Sequence, residues 1–304
     1  GRAMTNSIMI IGAGGFLGSR LFEYFSKREG CQVIGVTHEE LDITDSLAVS
    51  AFIGAVAPDV VLHCAAISNT ACCEENPALS ESVNVYGTDN VAKACRKAGS
   101  GMVFMSSDQV YTASHLAGPN REGSEGRPRG VYGRDKKRAE EAMLSQLPEG
   151  LALRLTWMYD YPVNGRVPGN NLLGNIMKAL KTGNSLPCPV NDHRGITYVW
   201  DVIRNMEKAM ELPGGIYNFG SPNELNSYET GAAFAKILTG RENIDAIVRP
   251  DLERFRGCPR NLTIDIKKLE EGGIYFENTL QGFYRCLKDH GWEAGGRLRL
   301  GSCG

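Results

Sequence analysis

With 304 residues, of which 42% are hydrophobic, 22% charged and 8% aromatic, the chain is long and apolar enough to bury a substantial core, which excludes a disordered or fibrous protein. Its 33 basic and 35 acidic side chains leave a formal net charge of −2. No global field draws it to a polyanion, so neither nucleic acid nor an anionic membrane is expected as a partner.

Nine cysteines, at 31, 64, 72, 73, 95, 188, 258, 286 and 303, are odd in number, and several sit in apolar runs as free thiols do, so a reducing cytoplasmic setting is expected. Cys72 and Cys73 are adjacent and no CxxC or HExxH pattern occurs, so no metal is expected. Gly1, Arg2 and Ala3 ahead of Met4 read as a cloning remnant. The first apolar run, 8–11, falls far short of the ~20 residues of a membrane span, and no signal peptide is expected.

In chain order, short apolar runs at 8–11, 33–36, 60–64, 102–105 and 151–155 predict buried parallel strands. Helical stretches predicted at 16–27, 46–56, 80–97 and 132–147 alternate with them, which gives an α/β protein with a doubly wound, Rossmann-type parallel sheet. After about residue 160 the rhythm changes to a turn-rich passage and a helical run at 172–181, where a smaller second lobe begins. A further strand at 215–219 and helices near 228–238 and 280–290 make the lobes interleave. The expected organisation is a dinucleotide-binding domain over 4–160, to which segments around 195–220 return, a mainly substrate-binding lobe over 161–290, and a flexible glycine-rich tail over 291–304.

The first strand runs directly into Gly12-Ala13-Gly14-Gly15-Phe16-Leu17-Gly18, which opens the first helix. In that position Gly12 permits the tight turn, Gly15 the approach of a pyrophosphate and Gly18 close packing of helix on sheet, while backbone amides and the helix dipole favour an anion. A carboxylate at the end of the second strand would bind ribose hydroxyls and repel the 2′-phosphate of NADP. Here the strand ends Val36-Thr37-His38, with Glu39 and Glu40 one or two residues late and read as solvated turn residues, so NADP is favoured over NAD.

Tyr132 and Lys136 stand four residues apart on one predicted helical face, where a cation can lower the pKa of a phenol into the range of acid-base catalysis. The fourth strand ends Met105-Ser106-Ser107-Asp108 and delivers hydroxyls to the carboxyl edge of the sheet, so Ser107 is a third candidate, placed to hold a reacting carbonyl against Tyr132. No GxSxG elbow supports a Ser-His-Asp hydrolase, and His63, inside an apolar strand, reads as a core residue.

These motifs resemble the extended short-chain dehydrogenase/reductases and, within them, the dTDP-4-dehydrorhamnose reductase-like (RmlD-like) group, from about residue 8 to 290. The resemblance rests on Gly12 to Gly18, Leu41-Asp42-Ile43-Thr44-Asp45, the run 58–66, Asn84-Val85-Tyr86-Gly87-Thr88, the run 106–111, Tyr132 to Lys136, and Pro259-Arg260-Asn261. It implies a catalytic set of Ser107, Tyr132 and Lys136, and hydride transfer from NADP(H) or NAD(H) to the 4-keto carbon of a nucleotide-activated sugar with tyrosine as proton donor. It also implies a cofactor site of Gly12, Gly15, Phe16, Leu17, Gly18, Asp42, Ile43, Ala65, Ala66, Tyr132 and Lys136. In that site Asp42 and Ile43 flank the adenine and Lys136 holds the nicotinamide ribose. Gln109, Trp157 and Arg260 become candidate substrate contacts. Two segments depart from the family pattern: Gln109 stands for an aromatic residue in the run usually like STDYVFDG, and Trp157-Met158-Tyr159-Asp160 stands for WVYG. Both fall where the family contacts substrate. The alternatives are a dinucleotide-binding regulatory subunit such as the methionine adenosyltransferase beta subunit, and a sugar epimerase of the same fold. A homodimer stays open.

Overall fold

The computed structural model describes residues 6–293 together with 297 and 298. The segment 1–5, Cys303 and the larger part of the expected tail lie outside the described residues.

The first half alternates β1 (Ser7–Ile11), α1 (Phe16–Ser26), β2 (Gln32–Val36), α2 (Ser46–Val56), β3 (Val60–His63), α3 (Thr70–Glu75), α4 (Pro77–Ser80), α5 (Gly87–Ala98), β4 (Gly101–Ser107), α6 (Val131–Gln146) and β5 (Leu151–Leu155). Then follow β6 (Trp157–Tyr159), α7 (Leu172–Thr182), β7 (Leu186–Pro189), β8 (Asp192–His193), β9 (Ile196–Tyr198), α8 (Val199–Arg204), α9 (Met206–Ala209), β10 (Gly215–Phe219), α10 (Ser227–Thr239), β11 (Val248–Asp251), β12 (Arg260–Asn261), α11 (Lys267–Glu271) and α12 (Thr279–Asp289).

Six strands form one sheet in the order β2-β1-β3-β4-β5-β10, every pair parallel. Because side chains alternate across a strand, Ile8, Ile10, Leu62, Val103 and Leu153 join Leu21, Phe25 and Val202 on one face. Met9, Ile11, Val61, Phe104 and Ala152 join Val49, Ile53, Val91 and Met143 on the other. Both faces are covered, which is why the strands read as unbroken apolar runs. The sheet is therefore doubly wound, as expected. A third cluster, with Tyr159, Leu173, Ile176, Phe234 and Phe283, sits under α7, α10 and α12. It is held by the small parallel pairs β6–β9, β7–β11 and β8–β12.

The helix expected over 80–97 is broken. A π-helical turn, Glu81–Tyr86, separates α4 from α5. Asn84 accepts from the Ile67 amide at 2.9 Å and donates to the Ile67 carbonyl at 3.1 Å, and Ser80 donates to Asp135 at 2.7 Å. The wider turn keeps these polar side chains on the inner face, where they pin the loop after β3. The third strand also ends at His63, one residue early.

Candidate active site

The strand order reverses between β1 and β3, the place where ligands of open α/β sheets bind. Gly12 leaves β1 with φ +89, and a Cβ there would lie 2.7 Å from the Ala65 nitrogen and 2.8 Å from the Cys64 carbonyl carbon. A Cβ at Gly18 would collide with the Gly12 carbonyl oxygen. The fold itself thus demands glycine at 12 and 18. Gly15 is different: its backbone is ordinary (φ −84, ψ 176) and an added Cβ would meet nothing closer than the Gly12 oxygen at 3.5 Å. It is the N-cap of α1 and no side chain caps that helix. A glycine that the fold does not require, at an uncapped helix N-terminus, leaves a cradle that fits the pyrophosphate of a dinucleotide.

Phe16 and Leu17 occupy the first turn of α1, Leu17 buried and Phe16 facing the cavity described below. Ala65 and Ala66 are half-buried after β3. Asp42 is exposed and accepts from the Thr44 amide at 2.9 Å and hydroxyl at 2.7 Å, bonds that hold its carboxyl below its ordinary value. Ile43 is buried and packs so tightly on Gly87 that a Cβ there would come 2.7 Å from its Cδ1. The end of β2 corrects one expectation. Glu40 is a turn residue, yet it folds its carboxylate back to accept from the Thr37 amide at 3.0 Å and hydroxyl at 2.9 Å, and these bonds lower its pKa. The strand end therefore carries a carboxylate after all, delivered from three residues downstream.

Ser107 ends β4 and caps the 3-10 turn Asp108–Tyr111, accepting from the Gln109 amide at 3.0 Å. Tyr132 lies in the first turn of α6, and the residue between it and the rest of that turn is Gly133, where a Cβ would strike the Gln109 carbonyl. Helix and turn are thereby pressed together, and the Ser107 hydroxyl lies near enough to the Tyr132 phenol to pull its pKa down. Lys136 lies one turn on, buried beneath them. Its Nζ donates to the Met105 carbonyl at 2.9 Å, 4.8 Å from the Phe104 ring centre and 5.7 Å from that of Tyr132. Burial brings Lys136 down to about 8. Burial, with the nearby Asp108 carboxyl, instead pushes the Tyr132 phenol up, against the pull of Ser107 and Arg194. The expected lowering of the phenol by Lys136 is not what the protein's own groups produce, because desolvation of the phenol outweighs the groups that favour its charged form.

Ser107, Gln109, Tyr132, Phe16, Trp157 and Arg260 line one cavity of about 720 Å3. Its floor holds two ion pairs that sequence reading missed. Arg194 bonds both oxygens of the buried Asp108, at 3.2 and 3.3 Å, and Arg260 bonds Asp192 at 2.6 and 3.1 Å. Burial raises Asp108 in spite of Arg194 and Arg260. At Asp192 burial acts the same way, but the Arg260 bonds outweigh it and hold the carboxyl low. Arg194 Nε is buried without a hydrogen-bond partner. Asp108 had a signal, its place beside Ser107; Arg194 and Asp192, in a stretch without a motif, had none. Asp160 is a second correction. It does not line the cavity but is buried against α1, where Arg20 bonds it at 2.7 Å.

His63 is a core residue with Nε2 3.0 Å from the Thr88 hydroxyl, and burial, aided by Lys136, takes it down to about 3. Among the described residues no group of three or more His, Cys, Asp or Glu is arranged to hold a metal ion, and no helix is long and apolar enough to cross a membrane.

A glycine turn at the switch point of a doubly wound parallel sheet, opening beside a polar cavity at the strands' carboxyl ends, defines a Rossmann-type α/β protein. The chain belongs to the family described as RmlD substrate binding domain, which matches residues 5–289. It is 31% identical over 256 residues to a dTDP-4-dehydrorhamnose reductase of Mycolicibacterium smegmatis, an alignment covering 84% of this chain and 73% of that protein. It is 29% identical over 284 residues to methionine adenosyltransferase 2 subunit beta of Xenopus laevis, covering 88% and 82%. The crystal structure of dTDP-4-dehydrorhamnose reductase from Bacillus anthracis, solved in complex with NADP, superposes with a TM-score of 0.83 at 22% identity, over 95% of this chain and 100% of that one.

Proposed function

We propose that this protein is an NADP(H)- or NAD(H)-dependent reductase of a nucleotide-activated 4-keto sugar, of the dTDP-4-dehydrorhamnose reductase kind. The observation that carries this reading is the pair of hydroxyls, Ser107 and Tyr132, that share the wall of one cavity with Phe16, the first residue of α1. The proton donor thus faces the same space as the first residue of the helix that the glycine turn opens. The name of the mycobacterial relative, matched over 73% of its length, and the NADP in the Bacillus structure support the choice of reaction and cofactor.

In this reading Tyr132 gives its proton to the carbonyl oxygen and Ser107 orients that oxygen, while Lys136 binds the cofactor ribose and stabilises the charge left on the phenol. A bound nicotinamide cofactor supplies the hydride. Gly12, Gly15, Phe16, Leu17 and Gly18 form the pyrophosphate end of its site, and Asp42, Ile43, Ala65 and Ala66 the adenine side. Gln109, Trp157 and Arg260 contact the nucleotide sugar. The unit 4–160, with 195–220, carries the dinucleotide and 161–290 mainly the substrate. Eight free thiols among the described residues support a reducing cytoplasm. A homodimer is proposed from the family resemblance, and light scattering on the eluting protein tests it.

The test is NAD(P)H consumption with a panel of 4-keto dTDP-sugars, wild type beside Tyr132→Phe. Turnover that survives in the variant refutes the assignment of Tyr132. A wild type that binds cofactor but turns over no sugar in the panel moves the conclusion to a dinucleotide-binding regulatory subunit, the reading favoured by the likeness to the Xenopus beta subunit.

A further inference from the structure

Asp160, the residue that departs from the family's WVYG pattern, is 2% exposed, and Arg20, its partner from α1, is 3% exposed. Arg20 Nε meets Asp160 Oδ2 at 2.7 Å, and Trp200 Nε1 donates to the same oxygen at 3.1 Å. The other arm of the guanidinium, Nη1, donates to two carbonyls at 2.9 Å, that of Phe16 in the first turn of α1 and that of Val167. Its face covers the Phe16 ring at 4.1 Å. The segment from Asp160 to Asn171 is thus laid along α1. Farther along, Gly169 packs so closely on Phe16 that a Cβ there would sit 2.9 Å from the ring, and Arg166 bonds Glu23 twice at 3.2 Å. The far end of the segment is the wall of the active-site cavity, where Asn170 accepts from Trp157 Nε1 at 2.9 Å and Asn171 caps α7.

One strap therefore touches both halves of the site. Its near end is fastened to the helix whose uncapped N-terminus forms the anion cradle, and its far end lines the space in front of Ser107 and Tyr132. A buried ion pair adds little to stability, because desolvation offsets most of its attraction, so its consequence here lies in geometry. We infer that the Arg20–Asp160 pair is a positioning device that couples the dinucleotide site to the nucleotide-sugar site, so that each ligand tightens the binding of the other. The inference rests on the proposed function for the identity of both ligands. Its physical route is order: an anion held by the first-turn amides of α1 fixes the Phe16 carbonyl, which shares Arg20 with Val167, and the strap then no longer loses freedom when the sugar nucleotide arrives. Coupling of this kind is reciprocal.

The experiment measures dissociation constants of the full chain for NADP+ and for dTDP, each alone and in the presence of the other, with amide hydrogen exchange across 160–171. The wild type should show at least about tenfold mutual tightening, within the range of ordinary allosteric coupling, and NADP+ alone should slow exchange in the strap. Arg20→Met with Asp160→Asn removes both charges at nearly constant volume and leaves none unpaired. In that variant each single-ligand constant should stay within about threefold of wild type while the mutual tightening falls below about twofold. Arg20→Lys keeps the charge facing Asp160 but cannot reach both carbonyls. It should lose part of the tightening, and it decides the question alone if the double variant does not fold. Tightening unchanged in the variants, or a wild type that binds both ligands with none, overturns the inference and leaves the proposed function standing. A wild type that binds neither NADP+ nor dTDP overturns both.

Discussion

Gly15 separates what the fold needs from what a ligand needs. Gly15→Ala adds one Cβ whose nearest neighbour is a carbonyl oxygen at 3.5 Å, in a backbone conformation any residue adopts. Stiffening the unfolded chain contributes about 0.4–1 kcal/mol, and loss of a glycine N-cap in favour of alanine costs a similar amount, so the melting temperature should hardly move. The methyl nevertheless fills the cradle over the first-turn amides, and a pyrophosphate held away from them should lose on the order of 100-fold in affinity, about 2.7 kcal/mol. Gly12→Ala is the control in the opposite sense. At φ +89, with the Ala65 nitrogen 2.7 Å from the new Cβ, it should cost roughly 1–3 kcal/mol in backbone strain alone and lower the melting temperature by several degrees. Thermal unfolding and titration calorimetry with NADP+ on the two variants decide. A folded Gly15→Ala protein that binds NADP+ within threefold of wild type would refute the reasoning, as would one that melts as low as Gly12→Ala.

Three further outcomes are expected. Tyr132→Phe keeps the ring and deletes the acid, so turnover should fall by at least ~100-fold while the NADP+ dissociation constant holds, as steady-state rates and calorimetry will show. Because burial sets Lys136 near 8, its charge is lost as pH rises through that value; kcat/KM should decline above about pH 8, and a Lys136→Met profile should be low and lack that limb. Below that pH the ammonium is present and the limb is flat, whereas an unchanged profile in the variant would assign the titration elsewhere. Glu40→Gln should raise NADP+ affinity relative to NAD+ about fivefold at low salt, fading as salt rises; an equal effect on both cofactors would remove Glu40 from the 2′-phosphate side.

The sheet was legible because both its faces are buried: residues 8–11, 60–62 and 102–105 are apolar without interruption, as covered parallel strands are. Gly12 and Gly18 were legible for a similar reason, since the turn itself forces them. What sequence did not reveal depends on partners far apart in the chain. Asp108 and Arg194 are 86 residues apart, Asp192 and Arg260 68, and Arg20 and Asp160 140. No local pattern announces such pairs, because each residue alone reads as a solvated charge. The π-helical turn is of the same kind, set by Asn84 reaching 17 residues back to Ile67. Glu40 shows a subtler failure: its position was read correctly as a turn, but an Oε1 that bonds an amide three residues earlier brings its charge back to the strand end.

The electrostatics of the site favour one direction of proton transfer. A phenol raised by burial and by the Asp108 carboxyl holds its proton across the neutral range, which suits a group that gives a proton to a carbonyl oxygen and not one that must first be ionised to take one. Ser107 and Arg194 act in the opposite sense, stabilising the phenolate that donation leaves behind. The acid is therefore kept protonated by desolvation and is helped to release its proton by the nearby Ser107 hydroxyl and the Arg194 guanidinium. Arg194 in turn is held by Asp108, so the pair that raises and lowers the phenol is a single ion pair, and its net field on Tyr132 is smaller than that of either charge alone. Lys136 gives one of its three N–H groups to the Met105 carbonyl at 2.9 Å, and this neutral partner leaves its charge in place.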